Sequence, residues 1–141
     1  NQKTKFEDQD KKINLIAGKF EDVEGPVKGH NIEPIYFDIE LNENKTINLE
    51  VPETHNSFVY LLKGDLKIGS KTHENISDST LILLEKGSDL EILANKKSKF
   101  LFIAGKPIGE TIARGGPFVM NTKDEILQAI QDYNNGTFAK Y

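Results

Sequence analysis

Residues 115–138 read GGPFVMNTKDEILQAIQDYNNGTF. Thr122 and Glu125 stand there in the S/T-x-x-E relation of a capping box. The threonine hydroxyl accepts from the Glu125 amide, and the Glu125 carboxylate accepts from the N–H of the cap. Beyond the cap, Ile126, Leu127, Ile130 and Tyr133 recur at helical spacing and predict one apolar stripe. Asn134-Asn135-Gly136 ends the helix, because glycine takes the left-handed conformation of a C-terminal cap without strain. The spacing predicts a helix over about 122–134. Ahead of it, Arg114-Gly115-Gly116-Pro117 makes a tight corner between the apolar run 100–104 and Phe118-Val119-Met120. No other stretch has a convincing helical period. The rest of the chain falls to strands and turns, and the helix is expected to lie as a lid on one β-body.

Outward from that helix, the strand signal is clearest at 34–41, where Ile35, Phe37, Ile39 and Leu41 alternate with Tyr36, Asp38 and Glu40. Ile47, Leu49 and Val51 alternate with Asn48 and Glu50. Residues 58–62 are apolar on both faces and predict a central strand. A turn at Lys63-Gly64-Asp65 leads to a strand at 66–69, and a polar loop over 70–79 leads to one at 81–84. Turns at 85–89 and 95–99 introduce strands at 90–94 and 100–104. A further strand is expected at 13–17 and a loop at 19–33, while residues 1–12 read as a loose lead-in. About eight short strands with regular turn signals predict an all-β antiparallel barrel or jelly roll, one domain over 13–141, closed by one C-terminal helix.

Composition narrows the function. The 141-residue chain has a net charge of −4, so no basic face for direct nucleic-acid binding is expected. It contains no cysteine, which excludes a disulfide framework and a thiolate metal site. No apolar run approaches the length of a membrane span. A cytoplasmic protein is expected, or a nuclear one in a eukaryote. Asn1 in place of an initiating methionine reads as a fragment or a processed chain.

Three histidines are present, His30, His55 and His73, and no His-x-His pair exists. His30 and His73 sit in polar loops and read as solvated. His55, in Pro52-Glu53-Thr54-His55-Asn56, is the one candidate for a weak metal ligand or polar anchor. Its alternative is an imidazole that bonds a nearby backbone group and orders the turn, and a lone imidazole holds a metal weakly. Arg114 is the only arginine. A guanidinium clamps a carboxylate with two parallel bonds, so Arg114 is expected to brace the corner, with Asp38, Asp132 or Glu125 as partner, in preference to binding an anion. Gly115, Gly116, Pro117, Thr122, Glu125 and Gly136 are expected to be structural. No serine has a His–acid pair beside it, and no phosphate-binding glycine loop occurs. The aromatics Phe58, Tyr60, Phe100, Phe102, Phe118 and Tyr133 are expected in the core.

The stretch 115–138 resembles the closing segment of pirins, iron-binding proteins of the cupin superfamily built from two β-barrel domains. The resemblance implies a cupin-type barrel corresponding to the C-terminal domain, with iron in an N-terminal barrel outside this chain. In the pirin pattern a His-x-His pair and a later His-x-Glu hold the metal. Anchored on residues 60–64, those positions fall on Glu50 and Pro52, and near Leu90 and Ile92, so no catalytic residue and no cofactor are expected here. The family is associated with quercetin-type dioxygenase chemistry and with transcriptional regulation through protein partners. The implied role is a non-catalytic domain packed against the metal-bearing barrel, or against a second copy of itself. The alternative is a self-sufficient small cupin with a weak metal or small-molecule site around His55.

Overall fold

A computed structural model describes residues 4–28, 31–69, 76 and 78–139, and they divide into two compact units, within residues 1–107 and 108–141. His73 and most of the expected 70–79 loop, like His30, lie outside the described residues.

The first unit is all strand. It contains β1 (Lys5–Glu7), β2 (Lys11–Ala17), β3 (Lys19–Phe20), β4 (Val23–Glu24), β5 (Ile35–Leu41), β6 (Lys45–Glu50), β7 (Asn56–Ile68), β8 (Thr80–Leu83) and β9 (Asp89–Gly105). The order in the main sheet is β1-β2-β5-β9-β7-β8, with β6 on the first half of β9 and every strand pair antiparallel. Alternation does the sorting. Phe37, Ile39 and Leu41 of β5 turn inward to meet Ile13 and Leu15 of β2, Val59 and Leu61 of β7, and Phe100 and Phe102 of β9, all buried. Phe6, in the segment expected as a loose lead-in, packs edge-on against Phe20, because β1 pairs with β2 from Lys5↔Asn14 to Glu7↔Lys12. The expected 19–33 loop likewise holds the β3–β4 hairpin.

Two predicted turns are not turns. Residues 63–65 lie inside the 13-residue β7, and 95–99 inside the 17-residue β9. The register between these strands shifts three times, at Leu61/Lys63, Lys63/Asp65 and Asp65/Leu66, so both strands bend together and serve both halves of the sheet. At the bend Gly64 has φ +118, and a Cβ there would sit 2.6 Å from Ser98 Cα. Ser98 is buried, and its hydroxyl replaces the lost ladder bonds. It accepts from the Asp65 N–H at 3.1 Å and donates to the Lys96 carbonyl at 2.7 Å. Lys and Ser, which signal turns in sequence, here mark a bulge.

The second unit holds β10 (Ala113–Gly115), β11 (Phe118–Met120) and α1 (Lys123–Asn134). Gly116-Pro117 is the two-residue turn between the paired strands. Thr122 caps α1 with a capping box: the Glu125 N–H donates to Thr122 Oγ1 at 3.2 Å and the Thr122 N–H to Glu125 Oε2 at 2.8 Å. At the other end Gly136 has φ 72, Thr137 N–H donates to Asp132 O at 2.8 Å and Gly136 N–H to Tyr133 O at 3.2 Å. That is a Schellman closure. The predicted stripe is narrower than expected. Ile126 and Ala129 are buried, while Leu127, Ile130 and Tyr133 are 59%, 37% and 67% exposed. Gly115 explains the choice: Ile126 packs so closely on it that an added Cβ would overlap Ile126 Cγ2.

Candidate functional site

His55 sits in the loop between β6 and β7 and is buried. Its N–H donates to the Pro52 carbonyl at 2.8 Å, closing the turn. Its Nε2 lies 3.0 Å from the Glu33 carbonyl oxygen. A carbonyl only accepts, so that contact assigns the proton to Nε2 and leaves Nδ1 to accept from Thr54 Oγ1 at 3.4 Å. Glu33 itself has φ 45, a left-handed conformation that costs a side-chain-bearing residue about 1 kcal/mol. The imidazole therefore ties down a strained residue at the entry to β5. Lys86, which the sequence reading passed over, completes the loop. Its ammonium donates to the carbonyls of Thr54 and His55 at 3.3 and 2.8 Å and to Asn56 Oδ1 at 2.8 Å. A hollow of about 330 Å³ adjoins His55, between Glu33, Pro34, Pro52 and the β4 side.

The donor set does not fit an iron centre. Among the described residues no three histidine or carboxylate side chains gather to hold an ion. Both ring nitrogens of His55 are engaged as described. Of the positions that the resemblance to pirins set against its metal ligands, Glu50 and Pro52 are exposed, and Leu90 and Ile92, on β9, belong to the apolar core.

A second, larger cleft of about 930 Å³ opens beside β6. Phe20, Ile35, Phe37 and Leu49 give it an apolar floor, and Glu21, Glu50 and Asp89 an acidic rim on which Lys19 is the one basic side chain. Glu50 and Asp89 are directly opposed across the β6–β9 pair, and Ser88 Oγ donates to Asp89 at 2.6 Å.

The outer face of the main sheet is the third feature. Across the register run Tyr36, Ile103, Phe58 and Leu83, and next to them Asp38, Leu101, Tyr60 and Leu81. Phe58 and Tyr60 thus point away from the core in which they were expected, and Leu81 and Leu83 are 55% and 77% exposed. Toward β2 the face turns polar. Asn14 Nδ2 donates to Asp38 Oδ2 at 3.3 Å, and Lys99 lies 3.6 Å from Asp38 and 3.5 Å from Glu40.

Arg114 does not make the clamp expected of it. It is exposed on β10 opposite Val119, and among the described residues no ion pair includes it. Its expected partners are engaged elsewhere: Asp38 by Asn14, Glu125 by Thr122, and Asp132 by Gln128 at 2.8 Å. Two carboxylates are perturbed. The Lys11 ammonium, 2.8 Å away, with the backbone N–H groups of Asp10 and Lys11, holds Asp8 down to about 2. Hydrogen bonds from the Thr122 hydroxyl and then its backbone N–H lower Glu125. Both groups are structural. No helix among the described residues is long and apolar enough to cross a membrane.

Comparison with known proteins agrees with this fold. Residues 36–139 match the family model described as the pirin C-terminal cupin domain. A Pseudomonas aeruginosa protein provisionally named quercetin 2,3-dioxygenase is 33% identical over 132 residues, covering 91% of this chain and 46% of that protein. A pirin-like protein of Solanum lycopersicum is 39% identical over 105 residues, 72% of this chain and 36% of its own length. The crystal structure of quercetin 2,3-dioxygenase from Acinetobacter baumannii superimposes with a TM-score of 0.79 at 32% identity, over 95% of this chain and 46% of that one. An RmlC-like cupin from Shewanella frigidimarina, at 8% identity and a TM-score of 0.52, shares the fold. The chain spans about half the length of the curated relatives it matches.

Proposed function

The chain belongs to the pirin C-terminal cupin domain family, and on that premise we propose that it is a non-catalytic binding domain whose apolar sheet face packs against a metal-bearing cupin barrel. The outer face of β5, β9, β7 and β8 carries this reading. Leucines 81 and 83 stand out into solvent beside Phe58 and Tyr60, on a sheet whose other face already closes the core. Burying one such leucine contributes roughly 2 kcal/mol, so a contiguous patch of this kind favours a second surface over water. The relatives named as dioxygenases are about twice as long as this chain, which gives the proposed barrel a place in the longer protein. Iron and dioxygenase chemistry belong in this reading to that barrel, and so does any regulatory role exerted through protein partners. Leu90 and Ile92, the positions that the resemblance set against the family's later donors, are buried in the apolar core, which supports placing the iron outside this chain.

The experiment is a paired one on the 141-residue chain. After iron is supplied under reducing conditions, bound metal stays far below one equivalent and quercetin is not consumed. Near one equivalent of iron, lost in His55→Ala, gives the barrel a centre of its own and overturns the reading. In the same preparation the chain self-associates through the uncovered face, and Leu81→Lys with Leu83→Lys returns it to a monomer without lowering its melting temperature. A monomer that the substitutions leave unchanged removes the apolar face as the basis.

A further inference from the structure

The cleft beside β6 and the open edge of that strand are one feature. β6 pairs with β9 on one side and, among the described residues, with no strand on the other. Its register fixes where the spare backbone groups point. The Val51 N–H donates to the Ser88 carbonyl at 2.8 Å, which makes residues 51 and 88 a hydrogen-bonded pair. Alternation along an antiparallel ladder then gives the β9-facing bonds to Leu49↔Leu90 and Ile47↔Ile92. The N–H and C=O groups of Thr46, Asn48 and Glu50 are thereby turned off the sheet. Residues 48–51 line the cleft, so these groups border it.

Proteins blunt such edges with short strands, prolines or bulges. The strands that end the main sheet, β1 and β8, are three and four residues long. β6 has six residues, no proline and an unbroken register. Beside it the floor is apolar, through Phe20 and Phe37, and the rim is acidic. Glu50 and Asp89 face each other directly, an arrangement of like charges that destabilises a sheet unless a cation comes between them.

We propose that this edge docks an extended segment of a partner protein, added to β6 as a further strand and carrying alternating apolar and basic side chains. Thr46, Asn48 and Glu50 offer it main-chain donors and acceptors at every second residue, over roughly 17 Å. Apolar side chains of the segment enter the cleft over Phe20 and Phe37. Those pointing the other way meet Glu50 and Asp89, and lysine or arginine there relieves their repulsion. A small molecule has no use for a row of main-chain groups spaced about 7 Å apart. This proposal uses neither the apolar sheet face nor the family's metal, so it stands or falls apart from the reading above.

The test measures anisotropy of a labelled heptapeptide of alternating lysine and valine, titrated with the 141-residue chain at low salt. Saturable binding is expected, weakened about tenfold or more when one alternate set of amides, lysine or valine, is N-methylated and spared when the other is, since an added strand turns only every second N–H toward β6. Asn48→Pro is expected to weaken it by a similar factor with the melting temperature kept, because the N–H it removes points away from β9. Glu50→Lys is expected to weaken binding and flatten its salt dependence. Equal affinity for both N-methylated peptides means charge alone holds the segment and overturns the proposal, and this readout needs no variant to fold. Failure to saturate at millimolar concentration overturns it too, as does a small aromatic dye that fills the cleft and that the peptide does not displace.

Discussion

The hairpin and helix at 113–134 and the bend of β7 on β9 are both built on a glycine held against a side chain, yet they differ in how far apart the partners lie in sequence. Gly115 meets Ile126, eleven residues on, within one hairpin–helix unit. Gly64 meets Ser98, from a different strand. The first contact serves local structure whose start and stop are written beside it, in Thr122, Glu125 and Gly136. The second is a meeting of two long strands, and nothing next to Gly64 announces it. Caps are encoded within one turn of chain; a shared bend is encoded only by the pair.

The substitutions that sharpen this contrast run from Gly64 downward. Gly64→Ala forces a β-carbon into Ser98 at a positive φ, and is expected to destabilise the first unit by about 3 kcal/mol, read as a drop in denaturation midpoint. A loss of a few tenths only would make the bend an ordinary turn and dissolve the comparison. Gly115→Ala is expected to cost less, about 2 kcal/mol, because Ile126 is a side chain that can shift where the Ser98 backbone cannot. Its effect should appear as lost hydrogen-exchange protection within 113–134. Thr122→Ala removes the cap and is expected to cost about 1 kcal/mol of helix stability, measured by far-ultraviolet circular dichroism on heating.

The smallest effect is set by pH. Asp8 is held below its ordinary 3.8, at about 2, chiefly by the Lys11 ammonium. A lowered carboxylate contributes stability that is fully present above the unfolded value and lost as pH falls through the folded one. Stability should therefore decline between pH 3.8 and about 2, and Asp8→Asn should flatten that decline slightly, since the side chain is 36% exposed and water screens the pair. Glu125 has the same sign, so acid should fray α1 from its first turn, and Glu125→Gln should remove that part of the acid response. A steeper acid loss in either variant contradicts the assignment.

Much of the fold is legible because its signals are periodic. Period two at Ile35–Leu41 locates β5 to the residue at its end, and the capping box locates α1. The turns read at 63–65 and 95–99 fail for a physical reason: polar residues with a glycine describe a bulge as well as a turn, and only pairing across strands separates them. Phe58 and Tyr60 look like core in sequence because aromatic residues bury well, and only the register shows them on the opposite face from Val59 and Leu61. At the candidate site, the lack of a His-x-His is plain in the sequence. That His55 spends its ring on Glu33, 22 residues away, is not. Lys86 gave no signal at all, since a lone lysine in a turn reads as solvated until the loop it gathers is seen. Arg114 misled in the opposite sense, as its rarity suggested a clamp that the occupied carboxylates do not offer.

Leu90 and Ile92 carry one more consequence, which concerns what this interior can acquire and not what it does. With hydrocarbon at these two buried positions, a metal centre cannot arise there by gradual steps. A histidine placed at 92 alone exchanges a fully buried isoleucine for a polar ring with no partner, a cost of roughly 2 kcal/mol or more. A second donor repeats that cost before any ion repays it. Single histidine substitutions at 90 and 92 should thus lower the melting temperature without raising iron uptake, and an iron-binding single variant would show the path to be open. A closed interior thus acts as a ratchet: selection sees only the penalty of opening it, and change in the domain runs on along its surfaces.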